Sequence, residues 1–177
     1  MGAGKNAGKN VDIVALTPEA KQVIQRLAER GASIATAESC TGGLVAAALT
    51  DVAGSSEVFF GGFVTYSNIA KSRMIQVPAR LIHDYGAVSN QVARAMADGA
   101  RNTARTSFAV ASTGIAGPGG GSEKKPVGLV YVAVSSELAT IVIEHRFGDI
   151  GRDAVRRATV AAALNLVLQV LDSEPEE

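Results

Sequence analysis

Apolar positions along the chain follow two alternating rhythms. Ala20, Val23, Ile24, Leu27 and Ala28 recur every three or four residues, which predicts an amphipathic helix that starts at Thr17-Pro18-Glu19 and stops at Gly31. ASIAT (32–36) then reads as a short strand, TAESCTGG (36–43) as a tight turn and LVAAAL (44–49) as the start of a helix. GSS (54–56) turns the chain into an apolar, aromatic strand over 58–66. Gly61 and Gly62 interrupt that strand, which predicts a bulge or a close backbone approach. Helical spacing resumes from Ser67 and again over 79–85 after Pro78. A longer helix follows Ser89, with Val92, Ala93, Met96, Ala97 and Ala100 on one side and Arg94, Asp98, Arg101 and Arg105 on a solvated face. Strands are predicted over 107–114, 127–135 and 139–147, and the Ser136-Glu137 turn pairs the last two as a hairpin.

Helices and strands in this order predict an α/β fold, a three-layer α/β/α sandwich around a mostly parallel sheet with an antiparallel hairpin. The closing helix, 151–171, is apolar nearly all round in its second half apart from Asn165 and Gln169. Such a helix is wedged between layers or pressed against a partner subunit, and a small domain buries every side of it with difficulty, so a homodimer is expected. One domain over 17–171 is expected between a polar, glycine-rich tail (1–16) and an acidic tail (172–177).

Composition narrows the function classes. The 177 residues hold 17 Lys and Arg against 17 Asp and Glu, so the chain lacks the basic footprint of a general nucleic-acid binder. One cysteine forms no internal disulfide, and neither a secretory signal nor a run of about 18 apolar residues is apparent, which predicts a soluble cytoplasmic protein that does not enter a membrane. The MGAGKN opening has Asn6 where a myristoylation signal needs Ser or Thr.

In sheets of this class ligands bind beyond the carboxyl ends of the strands. TAESCTGG, Thr65 to Asn68 and STGIAGPGGG (112–121) all follow strands, and they are predicted to converge there. The first of these offers three nucleophiles, Ser39, Cys40 and Thr41, beside Gly42 and Gly43. A catalytic turn and a mere helix cap, with Cys40 buried as a small hydrophobe, both fit it. Glu38 is either a base or an acceptor for neighbouring backbone donors. The glycine loop lacks the Gly-Lys-Ser/Thr ending of a phosphate-binding P-loop, yet its N–H groups beside Lys124 and Lys125 suit a single phosphate, as does the fork of Arg152. His83 and His145 lie too far apart for a metal site or a Ser-His-Asp triad, so no metal is expected. A lysine base remains: Lys71, four residues after Ser67, turns back over the strand end if a helix starts there, and is otherwise a surface lysine.

TAESCTGG, GSS, FVTYSNIAK, GAVS, STGIAGPGGGSEKKPVG and GDIGRDAVRR, in that order over about residues 17–171, closely resemble the CinA C-terminal domain family, whose single-domain members are nicotinamide-nucleotide amidases. The resemblance implies the same layered fold and hydrolysis of nicotinamide mononucleotide to nicotinic acid mononucleotide and ammonia, without a cofactor. It further implies Ser39 as nucleophile, Lys71 as base and Tyr66 as a proton holder. Substrate contacts are implied for Thr41, Gly42, Gly43, Ser56, Thr113, Gly114, Gly117 and Arg152. The larger CinA proteins carry an N-terminal nucleotide-pyrophosphatase domain to which nothing here corresponds. Two departures stand out: Ile150 and Gly151 separate Asp149 from Arg152, and Thr113 stands where relatives have Ser. Hydrolysis of another small amide, or a non-enzymatic nucleotide-binding or competence-linked role, is the alternative.

Overall fold

The structure, a computed structural model, describes residues 18–175. The predicted 1–16 tail and the Thr17 helix start lie outside the described residues. Six helices and five strands follow in the order α1 (Pro18–Glu29), β1 (Ile34–Glu38), α2 (Leu44–Thr50), β2 (Phe59–Val64), α3 (Asn68–Ile75), α4 (Ala79–Tyr85), α5 (Asn90–Ala104), β3 (Phe108–Gly114), β4 (Leu129–Ser135), β5 (Thr140–Arg146) and α6 (Arg152–Ser173). A 3-10 turn, Ser55–Glu57, precedes β2. The strands form a mixed open sheet in the order β2-β1-β3-β4-β5. The first three run parallel, and β4 and β5 add the expected antiparallel hairpin.

Strand alternation sorts side chains by size onto the two faces. Ile34, Phe108, Val110, Val130, Val132 and Val134 pack against α1, α2 and α6. Ala35, Ala37, Ala109, Ala111 and Ala133 point the other way, where their small size lets Val92, Met96 and Ala100 of α5 lie close to the sheet. Helix α5 is also tight against α3, since a β-carbon on Gly99 would stand 1.9 Å from the Ile75 carbonyl oxygen.

Strand β1 starts two residues later than the sequence suggests. The Ala32 N–H closes the end of α1 on the Leu27 carbonyl (2.9 Å) and so cannot join the ladder. The interruption in β2 takes both expected forms. Register slips between Ile34 and Ala35, leaving Phe60 as the extra residue, and a β-carbon on Gly62 would stand 2.5 Å from Thr36 Oγ1.

Helix α6 is long and apolar enough to cross a membrane, but half of its most apolar stretch is buried within the protein. Val155, Val160, Ala163, Leu164, Val167 and Leu171 face the layer made with α1 and α2, while Asn165 and Gln169 are exposed. The helix runs two residues beyond the predicted end, into the segment expected to be an acidic tail. Asp172 is held there by Arg26 (2.6 Å), and the Glu174 carboxylate accepts from Ser136. The charged face of α5 also differs from expectation. Because α5 lies across the hairpin, Asp98 accepts from Ser135 Oγ (2.8 Å) and Thr140 Oγ1, Arg101 donates to Ser135 Oγ (3.2 Å), and Arg94 donates to the Thr140 carbonyl (2.6 Å).

Candidate active site

Residues 39–43 leave the carboxyl end of β1, between its parallel neighbours β2 and β3. Alternation carries past Ala35 and Ala37 to Ser39, so Ser39 faces the α3 layer while Cys40 packs into the opposite core at 6 % exposure. On the other side of the gap, Ser67 caps α3 by accepting the Ala70 N–H (3.1 Å), and this phase puts Lys71 and Ile75, one turn apart, on the buried stripe. Lys71 is 1 % exposed. Its Nζ lies 3.0 Å from Ser39 Oγ and 2.8 Å from the Thr65 carbonyl oxygen. No carboxylate pairs with it among the described residues. Burial without a counter-ion penalises the ammonium and brings the Lys71 pKa down to about 8. In its neutral form the amine donates to Thr65 and accepts from the Ser39 hydroxyl, the arrangement of a nucleophile beside its base. Burial has the reverse consequence at Cys40, pushing the thiol up to about 11 and away from the reactive thiolate.

Glu38 organises the turn from behind. Its carboxylate accepts from the N–H groups of Gly43 (2.9 Å), Val45 (3.0 Å) and Ala46 (2.8 Å), filling the orphan donors at the start of α2. Of the two roles open to it in the sequence, the structure gives it the backbone-capping one. Gly42 at φ +62° and Gly43 at φ +101° supply the left-handed bend. Thr41 Oγ1 and Ser112 Oγ share a hydrogen bond at 2.7 Å.

Two arginines one turn apart at the start of α6 tie the surrounding loops together. Arg152 donates to the Gly117 carbonyl (2.9 Å) and the Tyr66 hydroxyl (3.0 Å). Arg156 donates through Nε to the Cys40 carbonyl (3.2 Å) and through Nη2 to the Thr41 carbonyl (2.8 Å).

Residues 16–171 match the CinA C-terminal domain family. The chain belongs to this family. It is 50% identical over 149 residues to a CinA-like protein of Synechococcus sp., covering 84% of this chain and 36% of the relative, and 54% identical over 137 residues to one of Geobacter sulfurreducens, covering 77% and 33%. The chain thus spans about a third of the length of these curated relatives. Among solved structures, a competence/damage inducible protein from Agrobacterium tumefaciens is 47% identical with a TM-score of 0.83, covering 90% of this chain and 99% of that one. A competence-damaged protein (CinA) superfamily protein from Escherichia coli is 32% identical with a TM-score of 0.83, covering 96% and 99%.

Not every residue implied by the CinA resemblance meets at this site. Ser39, Lys71, Thr41, Gly42 and Gly43 do, and Tyr66, Gly117 and Arg152 form its rim. The Tyr66 hydroxyl is bonded to Arg152, so the structure joins it to the rim rather than to the Ser39–Lys71 pair. The Gly42 and Gly43 N–H groups are already taken, by the Ser39 carbonyl (3.2 Å) and Glu38, so neither is free to hold substrate. Thr113 Oγ1 donates to the Ala87 carbonyl (2.8 Å), pinning the segment ahead of α5. Gly114 is explained by packing, because a β-carbon there would stand 2.6 Å from the Val130 side chain. Ser56 is exposed in the turn before β2, at the opposite end of the sheet, since the start of β2 pairs with Ile34 and its end with Glu38. Lys125 donates to the Tyr85 carbonyl (2.6 Å) and holds the glycine loop against α4. Among the described residues no group of His, Cys, Asp and Glu is placed to hold a metal. Arg156 carries no motif of its own in the sequence, although its spacing of four from Arg152 puts both on one helix face.

Proposed function

We propose that this CinA-family chain is an amidohydrolase that converts nicotinamide mononucleotide and water to nicotinic acid mononucleotide and ammonia. The observation that carries the hydrolytic reading is the 3.0 Å contact between Ser39 Oγ and the buried, unpaired Lys71 Nζ. Ser39 Oγ attacks the carboxamide carbon and passes its proton to neutral Lys71. The proton then moves to the amide nitrogen as the C–N bond breaks, and ammonia leaves. Water attacks the resulting Ser39 ester, Lys71 again takes the proton, and the carboxylate departs as Ser39 is restored. The nucleotide part rests on the family resemblance, supported by the exposed Arg152 and Lys124 beside the glycine loop, where the N–H groups of Gly119, Gly120 and Gly121 meet no backbone acceptor among the described residues and suit a phosphate.

The same machinery serves an amidase for another small amide, and a binding-only role is suggested by the competence-linked names of the solved relatives. A binding module has no use for a buried lysine against a serine hydroxyl, which favours the enzymatic reading. Purified protein incubated with nicotinamide mononucleotide, with and without chelator, is expected to release ammonia at equal rates. Absence of release from freshly folded protein refutes the reading, and equal rates on the nucleotide and on its phosphate-free riboside turn it toward another amide. Cytoplasmic action on a soluble nucleotide and assembly as a homodimer belong to the same proposal. Since the large apolar side chains of α6 pack within the chain, exposed Phe60 and Ile69 offer apolar surface for pairing. A single monomeric species by light scattering at micromolar concentration removes the dimer.

A further inference from the structure

We propose that Arg156 is a positioning residue that fixes the Cys40–Thr41 peptide so that the Thr41 N–H faces the carbonyl oxygen of a substrate attacked by Ser39. The inference rests on the hydrolytic reading and goes beyond it, because Arg156 need not touch the substrate.

In a planar trans peptide the C=O of one residue and the N–H of the next point in opposite directions. Arg156 Nε holds the Cys40 carbonyl at 3.2 Å, and Nη2 holds the Thr41 carbonyl at 2.8 Å. The Cys40 oxygen is thereby drawn toward α6. The Thr41 N–H must then point away from α6, toward the layer in which Ser39 meets Lys71. The two donors that follow are occupied, Gly42 N–H by the Ser39 carbonyl and Gly43 N–H by Glu38. Thr41 is fully buried, and among the described residues neither its N–H nor that of Cys40 meets an acceptor; of the two, only the Thr41 N–H belongs to the peptide whose carbonyl Arg156 holds. A buried amide without an acceptor is costly unless a ligand oxygen fills it. Arg156 also has no carboxylate partner among the described residues, so its charge adds to the field that favours an oxyanion there. Loss of the guanidinium frees the peptide to rotate, and the donor is no longer held where negative charge develops.

The test is steady-state kinetics of ammonia release for wild type, Arg156→Gln and Arg156→Lys, with substrate affinity measured by calorimetry for Ser39→Ala and for Ser39→Ala/Arg156→Gln. Arg156→Gln is expected to lower kcat about 100-fold, the cost of one lost oxyanion donor, with KM within about threefold. Arg156→Lys, which reaches one carbonyl without the planar fork, is expected to recover about a tenth of wild-type kcat. The two calorimetric affinities are expected to agree, because the donor acts on the transition state rather than on bound substrate. A folded Arg156→Gln with wild-type kcat overturns the inference, as does a rise in KM at constant kcat, which makes Arg156 a substrate contact. If Arg156→Gln does not fold, Arg156→Lys decides alone: a tenfold loss in kcat at constant KM supports the inference, and wild-type kcat overturns it. A wild type that releases no ammonia from any carboxamide fails at the earlier step and refutes the hydrolytic reading together with this inference.

Discussion

The two ends of the sheet each hold a network of polar side chains, and they are built on opposite principles. At the far end Asp98 accepts from Ser135 and Thr140 while Arg101 donates to Ser135, so negative charge, hydroxyls and cation answer one another. At the carboxyl end of the parallel strands Lys71 meets a hydroxyl and a carbonyl but, among the described residues, no anion. The first network is closed and holds the hairpin against α5. The second is left one charge short, and that deficit keeps an amine ready to accept a proton near neutral pH. A buried polar cluster therefore signals chemistry when its charges fail to balance, not merely when it is polar.

The sharpest way to break the comparison is to remove the unbalanced pair. Ser39→Ala and Lys71→Ala are each expected to lower kcat by at least about 10⁴-fold, and the double variant to lose little more, since parts of one catalytic unit are strongly non-additive. Additive losses measured by ammonia release would separate the two residues into different steps.

Arg152→Ala is expected to have the next largest effect. A charge-assisted contact to phosphate is worth about 1.5–3 kcal/mol, which corresponds to a rise in KM of about 10- to 150-fold for the nucleotide and almost none for its phosphate-free riboside. Equal effects on both substrates would make Arg152 only a brace for Gly117 and Tyr66.

Stability separates the two ends in the opposite direction. Asp98→Ala strands Ser135, Thr140 and Arg101 and is expected to cost about 1–3 kcal/mol in urea unfolding, with activity within a few-fold of wild type. Lys71→Met relieves a buried cation and is expected to unfold no earlier than wild type at pH 7, although it is inactive. Between about 8 and 10.5 the unfolded chain keeps a proton on Lys71 that the folded chain has released, so the Lys71 contribution to stability rises with pH across that window, opposed above about 9 by the Cys40 thiol, which the folded chain keeps protonated up to about 11. Lys71→Met should lose this rise. The smallest effect is expected for Cys40→Ala, which should keep most of kcat and lose a little stability from the core.

Much of this was legible in the sequence because it is written in local periods. The α1 stripe, the Ser67 and Ser89 caps, the β2 bulge and the Ser136-Glu137 hairpin each follow from residues within a few positions of one another. Ser39 and Lys71 were nameable as candidates, but their 3.0 Å contact depends on β1 and β2 lying side by side, which no local pattern encodes. Ser56, a substrate contact only by the family resemblance, lies at the other end of the sheet because α2 carries the chain back there before β2. Asp98 and Arg101 looked solvated because the hairpin that covers them lies some thirty residues downstream. Arg156 passed unnoticed because its partners are backbone carbonyls, which leave no trace in the residue alphabet.

The central claim is that Lys71 is neutral enough at physiological pH to activate Ser39, and its titration tests that claim directly. Carbon-13 NMR of selectively labelled lysine, assigned with Lys71→Met, follows the Lys71 ε-carbon with pH while kcat/KM for ammonia release is recorded on the same protein. The account predicts a midpoint near 8, with kcat/KM falling about tenfold per pH unit below it and levelling above it, because only the unprotonated amine acts as base. A midpoint near the ordinary lysine value of 10.5, or a rate that does not follow the titration, would contradict it.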